Sequence, residues 1–239
     1  MLALEPSAMR SSDSFLSASK LEANGAHLAA TLNRLVGIDG PDEVYAKIIR
    51  DLADLIPVTS LRVDRDIARE LLTVMMATQR GPELPAKSLS DGTLRFLALC
   101  VMEADPEATG LLCMEEPENG IHPARIEAMV RLVRRLAVDP EEEPGSDNPM
   151  RQIIVNTHSP LLVQHQLTDR PEDLLLAIQV SARTSDGVKT RLTRFRPLMG
   201  TWRTHGDRGV SGIPPGGITA YLRYPDIKQF GLFHEVAQC

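Results

Sequence analysis

Apolar residues fall at helical spacing early in the chain. Leu21, Leu28, Leu32 and Leu35 predict one helix, which Gly37 and Gly40 should stop. A second helix should start near Pro41, a good first-turn residue, with Val44, Ile48, Leu52 and Leu55 on one face and Pro57 beyond its end. Val58 to Asp64 and Glu70 to Thr78 suit strands, and Arg80-Gly81-Pro82 makes a turn after the second. Residues 1–18 are Ser-rich and weakly patterned, a poor beginning for an independent fold.

The middle of the chain alternates. Thr93 to Ala104 predicts a helix, Gly110 to Glu115 a buried strand, and Pro123 to Val138 a helix. An acidic, Pro/Gly-rich loop covers Asp139 to Met150. Gln152 to Asn156 is a further apolar strand, Pro160 to Gln166 a short helix, and Leu174 to Val180 a third strand. Strands separated by helices imply an α/β fold with a mostly parallel sheet flanked by helices. Ser185-Asp186-Gly187 should turn the chain into a C-terminal β-hairpin ending near Phe195, followed by a Gly/Pro-rich tail. The expected organisation is a domain over 1–182, with a helical and strand lead-in at 1–86 and a core at 87–166, then a basic hairpin and tail over 183–239.

Composition narrows the classes. A chain of 239 residues with 43% hydrophobic and 24% charged residues is an ordinary globular sequence, and only 4% aromatics make its core aliphatic. Net charge is −6, so a protein basic throughout is excluded while a local basic patch is not. Three cysteines form no even framework, which fits a reduced, cytoplasmic compartment. The first residues lack a basic n-region and long apolar run, and no stretch is long and apolar enough to span a membrane.

Three short segments carry the candidate chemistry. Glu115 and Glu116 follow the apolar run Leu111–Met114, at the carboxyl end of a strand, where sheets of this kind bind ligands. Nucleotide hydrolysis needs one acid to hold Mg2+ and another to orient or deprotonate water. The same pair also reads as surface charge at a strand end. Ser90, Asp91 and Gly92 precede an apolar helix, whose first N–H groups and serine hydroxyl suit an anion, although S-D-G also makes an ordinary cap. His158 ends the strand Ile153–Val155 in Asn156-Thr157-His158-Ser159. Metal spacing of the HExxH type is absent.

Taken together, Leu89-Ser90-Asp91-Gly92-Thr93, the string LLCMEEPENGIHP over 111–123 and Asn156–Ser159 resemble the signature loop, Walker B strand and switch histidine of AAA-type, ABC-like ATPases related to RecF and to the structural-maintenance-of-chromosomes (SMC) proteins. The resemblance implies a P-loop NTPase core binding ATP and Mg2+. Glu115 would take the metal, where Asp is commoner, and Glu116 would be the general base. His158 would sense the γ-phosphate. Ser90, Asp91 and Gly92 would touch ATP bound to a second protomer, in a homodimer or heterodimer. Asp91 replaces a usual Gly and should point away from the phosphates. Asn119, Gly120 and His122 would form the D-loop at the dimer seam.

The resemblance spans roughly residues 1–182, yet no G-x-x-x-x-G-K-[ST] loop occurs and the dipeptide Gly-Lys is absent. Gly212–Gly217 is no substitute, since Ile218 stands where Lys is required. The chain therefore reads as a partial core that needs a Walker A-bearing N-terminal lobe or chain, with an exposed sheet edge where that lobe is missing. A truncated frame, a split ATPase and a degenerate module all fit. The expected function is ATP binding and hydrolysis, in DNA repair or defence; the alternative is a non-hydrolysing module that docks on a complete ATPase. Between Arg183 and Arg208 lie seven Lys/Arg against Asp186 and Asp207, and Arg191, Arg194 and Arg196 could meet DNA phosphates or form a solvated hairpin.

Overall fold

The computed structural model describes residues 2–79, 81–183, 188–204, 212–214, 216–218 and 222. The chain divides into two compact units, Met1–Thr157 and His158–Cys239. The division falls before the 182 boundary expected from sequence, so that the whole hairpin belongs to the second unit.

In the first unit, helix α1 (Pro6–Met9) and the two-residue strand β1 (Asp13–Ser14) lead into α2 (Leu28–Asp39) and α3 (Pro41–Ala53). These are followed by strands β2 (Val58–Asp66), β3 (Leu71–Thr78) and β4 (Leu84–Pro85). β3 pairs antiparallel with β2 along one edge and with β1 and β4 along the other. Leu72, Val74 and Met76 alternate into the core at 3%, 2% and 1% exposure, as a half-buried antiparallel strand requires. Val44, Ile48 and Leu52 of α3 are buried at the spacing that predicted the helix.

α2 starts at Leu28, not Leu21, and runs through Gly37 to Asp39. Gly37 keeps helical geometry, whereas Gly40, at φ 88 and ψ 155, takes an extended positive-φ conformation open chiefly to glycine and ends the helix. The Ser-rich beginning is tied down by contacts its composition does not reveal. Asp13 accepts from the Ala30 N–H at 3.0 Å and meets His27 Nδ1 at 3.0 Å, capping α2 from outside the helix. Met9 is 1% exposed, and a Cβ on Gly25 would stand 2.6 Å from its Cγ, so Gly25 is required by close approach as well as by φ 86.

α4 (Asp91–Ala104), β5 (Gly110–Glu115), α5 (Ile126–Leu136) and β6 (Arg151–Asn156) complete the unit, and a short 3-10 turn at Pro123–Arg125 precedes α5. β5 and β6 are parallel, paired from Gly110–Arg151 to Glu115–Asn156. Leu2 adds a parallel bridge to Met114 on β5. Among the described residues β5 and β6 form a two-stranded parallel sheet of their own, and the other named strands pair antiparallel in two further sheets, so the single mostly parallel sheet expected is only partly present. The β5–β6 pair is also less buried than expected: Met114 of β5 is 5% exposed, but Leu111 of β5 at 58% and Ile154 of β6 at 56% lie open on the other face.

Arg151 closes the end of α4. It is 2% exposed and donates to the Met102 carbonyl at 2.6 Å, which also accepts from the Asp105 N–H at 3.3 Å, and to the Glu103 carbonyl at 3.4 Å. Burial lowers its pKa, opposed by Glu103 and Asp105. Cys100 is buried and Cys113 half-buried, both free thiols; Cys239 lies outside the described residues.

The second unit holds α6 (Pro160–Asp169), capped by Ser159, and strands β7 (Leu175–Arg183) and β8 (Lys189–Pro197). β7 does not join β5 and β6 but pairs antiparallel with β8. Its Ile178 and Val180 pack with Ile213. The expected Ser185-Asp186-Gly187 turn lies outside the described residues. Among the described residues, no helix is long and apolar enough to cross a membrane.

Candidate nucleotide-hydrolysis site

Glu115 is the last residue of β5, exposed, and opposite Asn156 in the register. Glu116 continues the ladder by one hydrogen bond, from its N–H to the Asn156 carbonyl at 2.8 Å. It then turns sharply, at φ 43, a left-handed conformation that costs any residue with a Cβ. Asn119 holds this turn from two sides. Its N–H donates to the Glu116 carbonyl at 3.0 Å, and its side-chain amide donates to Glu116 Oε2 at 2.5 Å.

The loop Leu89–Gly92 packs against this same turn. Ser90 is the N-cap of α4: its Oγ accepts from the Thr93 N–H at 3.2 Å and lies 2.8 Å from the Thr93 hydroxyl. Asp91 therefore is the first helical residue and not the cap. Its carboxylate is held by Arg10, whose Nη2 lies 2.6 Å from Oδ1 and also donates to the Leu89 carbonyl at 3.0 Å. A Cβ on Gly92 would stand 3.4 Å from the Gly120 carbonyl, so the two loops touch backbone to backbone. Arg95, one turn into α4, donates to the Asn119 carbonyl at 2.6 Å. The start of α4 thus meets the turn after β5 through Gly92 against Gly120 and Arg95 against Asn119.

His122 has a local task. Its Nδ1 accepts from the Ala124 N–H at 3.2 Å, capping the 3-10 turn at Pro123–Arg125. Glu118 accepts a hydrogen bond from the Thr157 hydroxyl through Oε1, while its buried Oε2 has no hydrogen-bond partner. His158 is exposed and is the first residue of the second unit. Arg191, Arg194 and Arg196 lie on β8, but strand alternation puts Arg191 on one face and the other two on the opposite face.

Arg10, Arg95, Glu118 and Thr157 are contacts that sequence reasoning missed. Glu118 and Thr157 stand inside the strings already singled out, and that position was a usable signal. Nothing local marks Arg10, which meets Asp91 across 81 residues of chain.

A single carboxylate at a strand end fits Mg2+, which keeps several waters and takes its other ligands from substrate phosphates. Glu115, exposed at the end of β5, offers one such carboxylate. Among the described residues, no group of three or more His, Cys, Asp and Glu forms a metal cage of its own.

A protein-family profile described as "AAA domain, putative AbiEii toxin, Type IV TA system" matches residues 11–164, a span that includes Ser90, Glu115, Glu116 and His158. No curated protein matches the chain in sequence. Similar solved structures include one from work on ATP-driven dimerisation and DNA-stimulated activation of SMC ATPases, at 13% identity and TM-score 0.42, covering 68% of this chain and 89% of that one. Another is the SMC head domain with an extended coiled coil from Pyrococcus furiosus, bound to the C-terminal domain of ScpA, at 12% identity and TM-score 0.42. That match covers 64% of this chain but only 35% of the other. The SMC head domain from Thermotoga maritima follows at 12% identity and TM-score 0.33, over 74% of this chain and 57% of that one. Likenesses this distant carry no argument about activity.

Proposed function

Because the chain belongs to the AAA-domain family described as an AbiEii-type toxin of a type IV toxin–antitoxin system, we propose that it supplies the hydrolytic half of an ATPase site. In this reading Glu116 takes a proton from the attacking water as the water oxygen bonds to the γ-phosphorus. The bond to the ADP oxygen breaks, giving ADP and phosphate. Mg2+ held at Glu115 would neutralise phosphate charge. His158 would donate a hydrogen bond to the γ-phosphate, and Ser90 with the first N–H groups of α4 would engage ATP held by a second protomer. The family description favours a role in defence over DNA repair.

The observation that carries this reading is the join between the Ser90 loop and Glu116. Arg95 holds the Asn119 backbone at 2.6 Å, and the Asn119 side chain holds the Glu116 carboxylate at 2.5 Å. A set of surface charges would have no need of a carboxylate fixed at a left-handed strand end.

In this reading the phosphate loop comes from a Walker A-bearing lobe or chain, which the absence of Gly-Lys from this sequence supports. The open face at Leu111 and Ile154 favours a second reading, a module that docks on a complete ATPase without hydrolysing ATP itself. ATP turnover decides between them, measured with and without a co-expressed Walker A segment encoded upstream, alongside Glu116→Gln. Turnover that needs the segment and is lost in Glu116→Gln supports the ATPase. Absence of turnover in both conditions sinks it and leaves the docking module. Turnover by the chain alone would refute the need for a separate phosphate loop.

A further inference from the structure

The two strands of the hairpin carry Arg183, Lys189, Arg191, Arg194 and Arg196 and no Asp or Glu, in a chain whose net charge is −6. The strands therefore carry five positive charges, with Asp186 as the one acidic residue in the segment that joins them. The register sorts these charges further: Arg183 stands opposite Lys189, Ser181 opposite Arg191, Gln179 opposite Thr193, and Ala177 opposite Phe195. Side chains alternate along a strand, so these odd-numbered residues share one face.

On β7 the two faces differ in kind, whereas on β8 the even-numbered face is also partly open, with Leu192 at 44% exposure and Arg194 exposed. On the even face Ile178, Val180 and Ala182 are buried at 6%, 1% and 6% exposure. On the odd face every residue of β7 from Leu175 to Arg183, and of β8 from Lys189 to Phe195, is exposed. Its cations gather at the end where β7 gives way to β8. Phe195, 66% exposed, lies four residues beyond Arg191, or about 13 Å along the strand. Gln179, Ser181 and Thr193, polar and uncharged, occupy the space between.

A cation cluster beside an exposed flat ring matches a polyanion that also offers flat apolar groups. Single-stranded nucleic acid has both, phosphates for the cations and an unstacked base for the ring. A duplex keeps its bases stacked inside and would leave Phe195 unused. An acidic peptide offers the charge without the planar face. We infer that the odd-numbered face of the β7–β8 hairpin binds single-stranded nucleic acid through Arg183, Lys189, Arg191 and Phe195. The inference stands on the hairpin alone and is independent of ATP hydrolysis. It also reassigns the basic patch read from sequence, since Arg194 and Arg196 fall on the other face.

The test is fluorescence anisotropy of the full chain with a labelled oligothymidine of about 15 nucleotides, from about 50 to 200 mM salt. Binding should weaken with salt. Replacing Arg183, Lys189 and Arg191 together by Ala should lower the magnitude of the log–log salt slope by about 2, at roughly 0.7 per phosphate contact. Phe195→Ala should weaken binding about ten-fold or more at unchanged slope, and Phe195→Tyr should restore it. Arg183→Lys with Arg191→Lys keeps the charge and should keep the slope, which separates lost contacts from a disturbed hairpin. Arg194→Ala with Arg196→Ala should change neither quantity. The proposal is overturned if the chain does not bind the oligonucleotide at the lowest salt, or if the even-face pair lowers the slope as much as the odd-face triple. It is equally overturned if a duplex binds as tightly as the single strand, or if vesicles containing anionic lipid bind where the oligonucleotide does not.

Discussion

Glu116 is held in a conformation that its own side chain disfavours, and the cost can be isolated. At φ 43 an L-residue loses about 1–2 kcal/mol relative to its ordinary regions. Glu116→Ala removes the hydrogen bond from Asn119 Nδ2 but keeps a Cβ and hence the strain. Glu116→Gly removes the same bond, releases the strain, and gives the unfolded chain extra freedom worth roughly 0.5–1 kcal/mol. The lost carboxylate cancels between the two variants. The glycine variant should therefore be the more stable by about 1 kcal/mol, the strain less the entropy.

Urea unfolding measures this gap. Far-UV circular dichroism is the right signal, because Trp202, the chain's one tryptophan, lies in the second unit and Glu116 in the first. With an m-value of about 2–3 kcal/mol per molar, the gap is a midpoint difference of about 0.3–0.5 M. Equal midpoints, or a more stable alanine variant, would mean that Glu116 does not occupy the left-handed region in solution. The hypothesis of a strained functional residue would then lose its basis.

Three further outcomes can be checked. Arg10 and Asp91 have 32% and 61% exposed side chains, so a double-mutant cycle with Arg10→Ala and Asp91→Ala should give a stability coupling below about 1 kcal/mol. A coupling well above that would mean the pair is shielded from solvent. Arg151→Met should destabilise the chain by about 1–2 kcal/mol in urea, because it removes a buried hydrogen bond to the Met102 carbonyl, which keeps the Asp105 N–H, and a longer one to the Glu103 carbonyl; a loss within the noise would show that water or other donors replace it. Asp51 has its pKa raised chiefly by burial, then by Glu103, against Arg135, Arg50 and Lys47. A carboxyl whose pKa is higher folded than unfolded favours the folded state while protonated, and that contribution is lost as pH rises from the unfolded value through the raised folded one. Asp51→Asn should therefore gain thermal stability relative to wild type at pH 7 and lose that gain in acid, below both pKa values. An unchanged difference across that range would refute the assignment.

Locally encoded features could be read from sequence, and those made by distant pairings could not. β5 and β6 announce themselves as short apolar runs, and α3 by the spacing of Val44, Ile48 and Leu52. The motif strings around Glu116 and Ser90 were legible because each needs only its neighbours. The role of residues 2–14 was hidden, because Leu2, Met9 and Asp13 are fixed by partners elsewhere in the chain and the segment around them is Ser-rich and weakly patterned. Placing β7 in a parallel sheet failed for a different reason: alternation of strands and helices does not say which sheet the next strand joins. Period-two burial of Ile178, Val180 and Ala182 is what an antiparallel, one-sided strand shows, and β8 was already expected beside it. Asp91 was expected to turn from the phosphates. What sequence could not show is that its carboxylate pairs with an arginine 81 residues away.

The contacts around Glu116 have a consequence for how such a site would work. The Ser90 loop and Glu116 belong to different elements, yet Gly92 meets Gly120, Arg95 bonds the Asn119 backbone, and Asn119 bonds the Glu116 carboxylate. Each of these hydrogen bonds is worth about 0.5–1.5 kcal/mol net, and more where a charge takes part. Moving the start of α4 while leaving the carboxylate in place would break one of them, a cost equivalent to a factor of roughly 2–13 in an equilibrium constant. On the proposed reading, the Ser90 loop answers to ATP on a second protomer and Glu116 to ATP on its own. Contact with the partner's phosphates would then bias the position of the local base. By linkage, nucleotide in the local site would bias affinity for the partner to the same degree. A docking module that never hydrolyses ATP would gain nothing from such a chain of bonds. Its presence in the first unit is therefore the physical ground for preferring the hydrolytic reading.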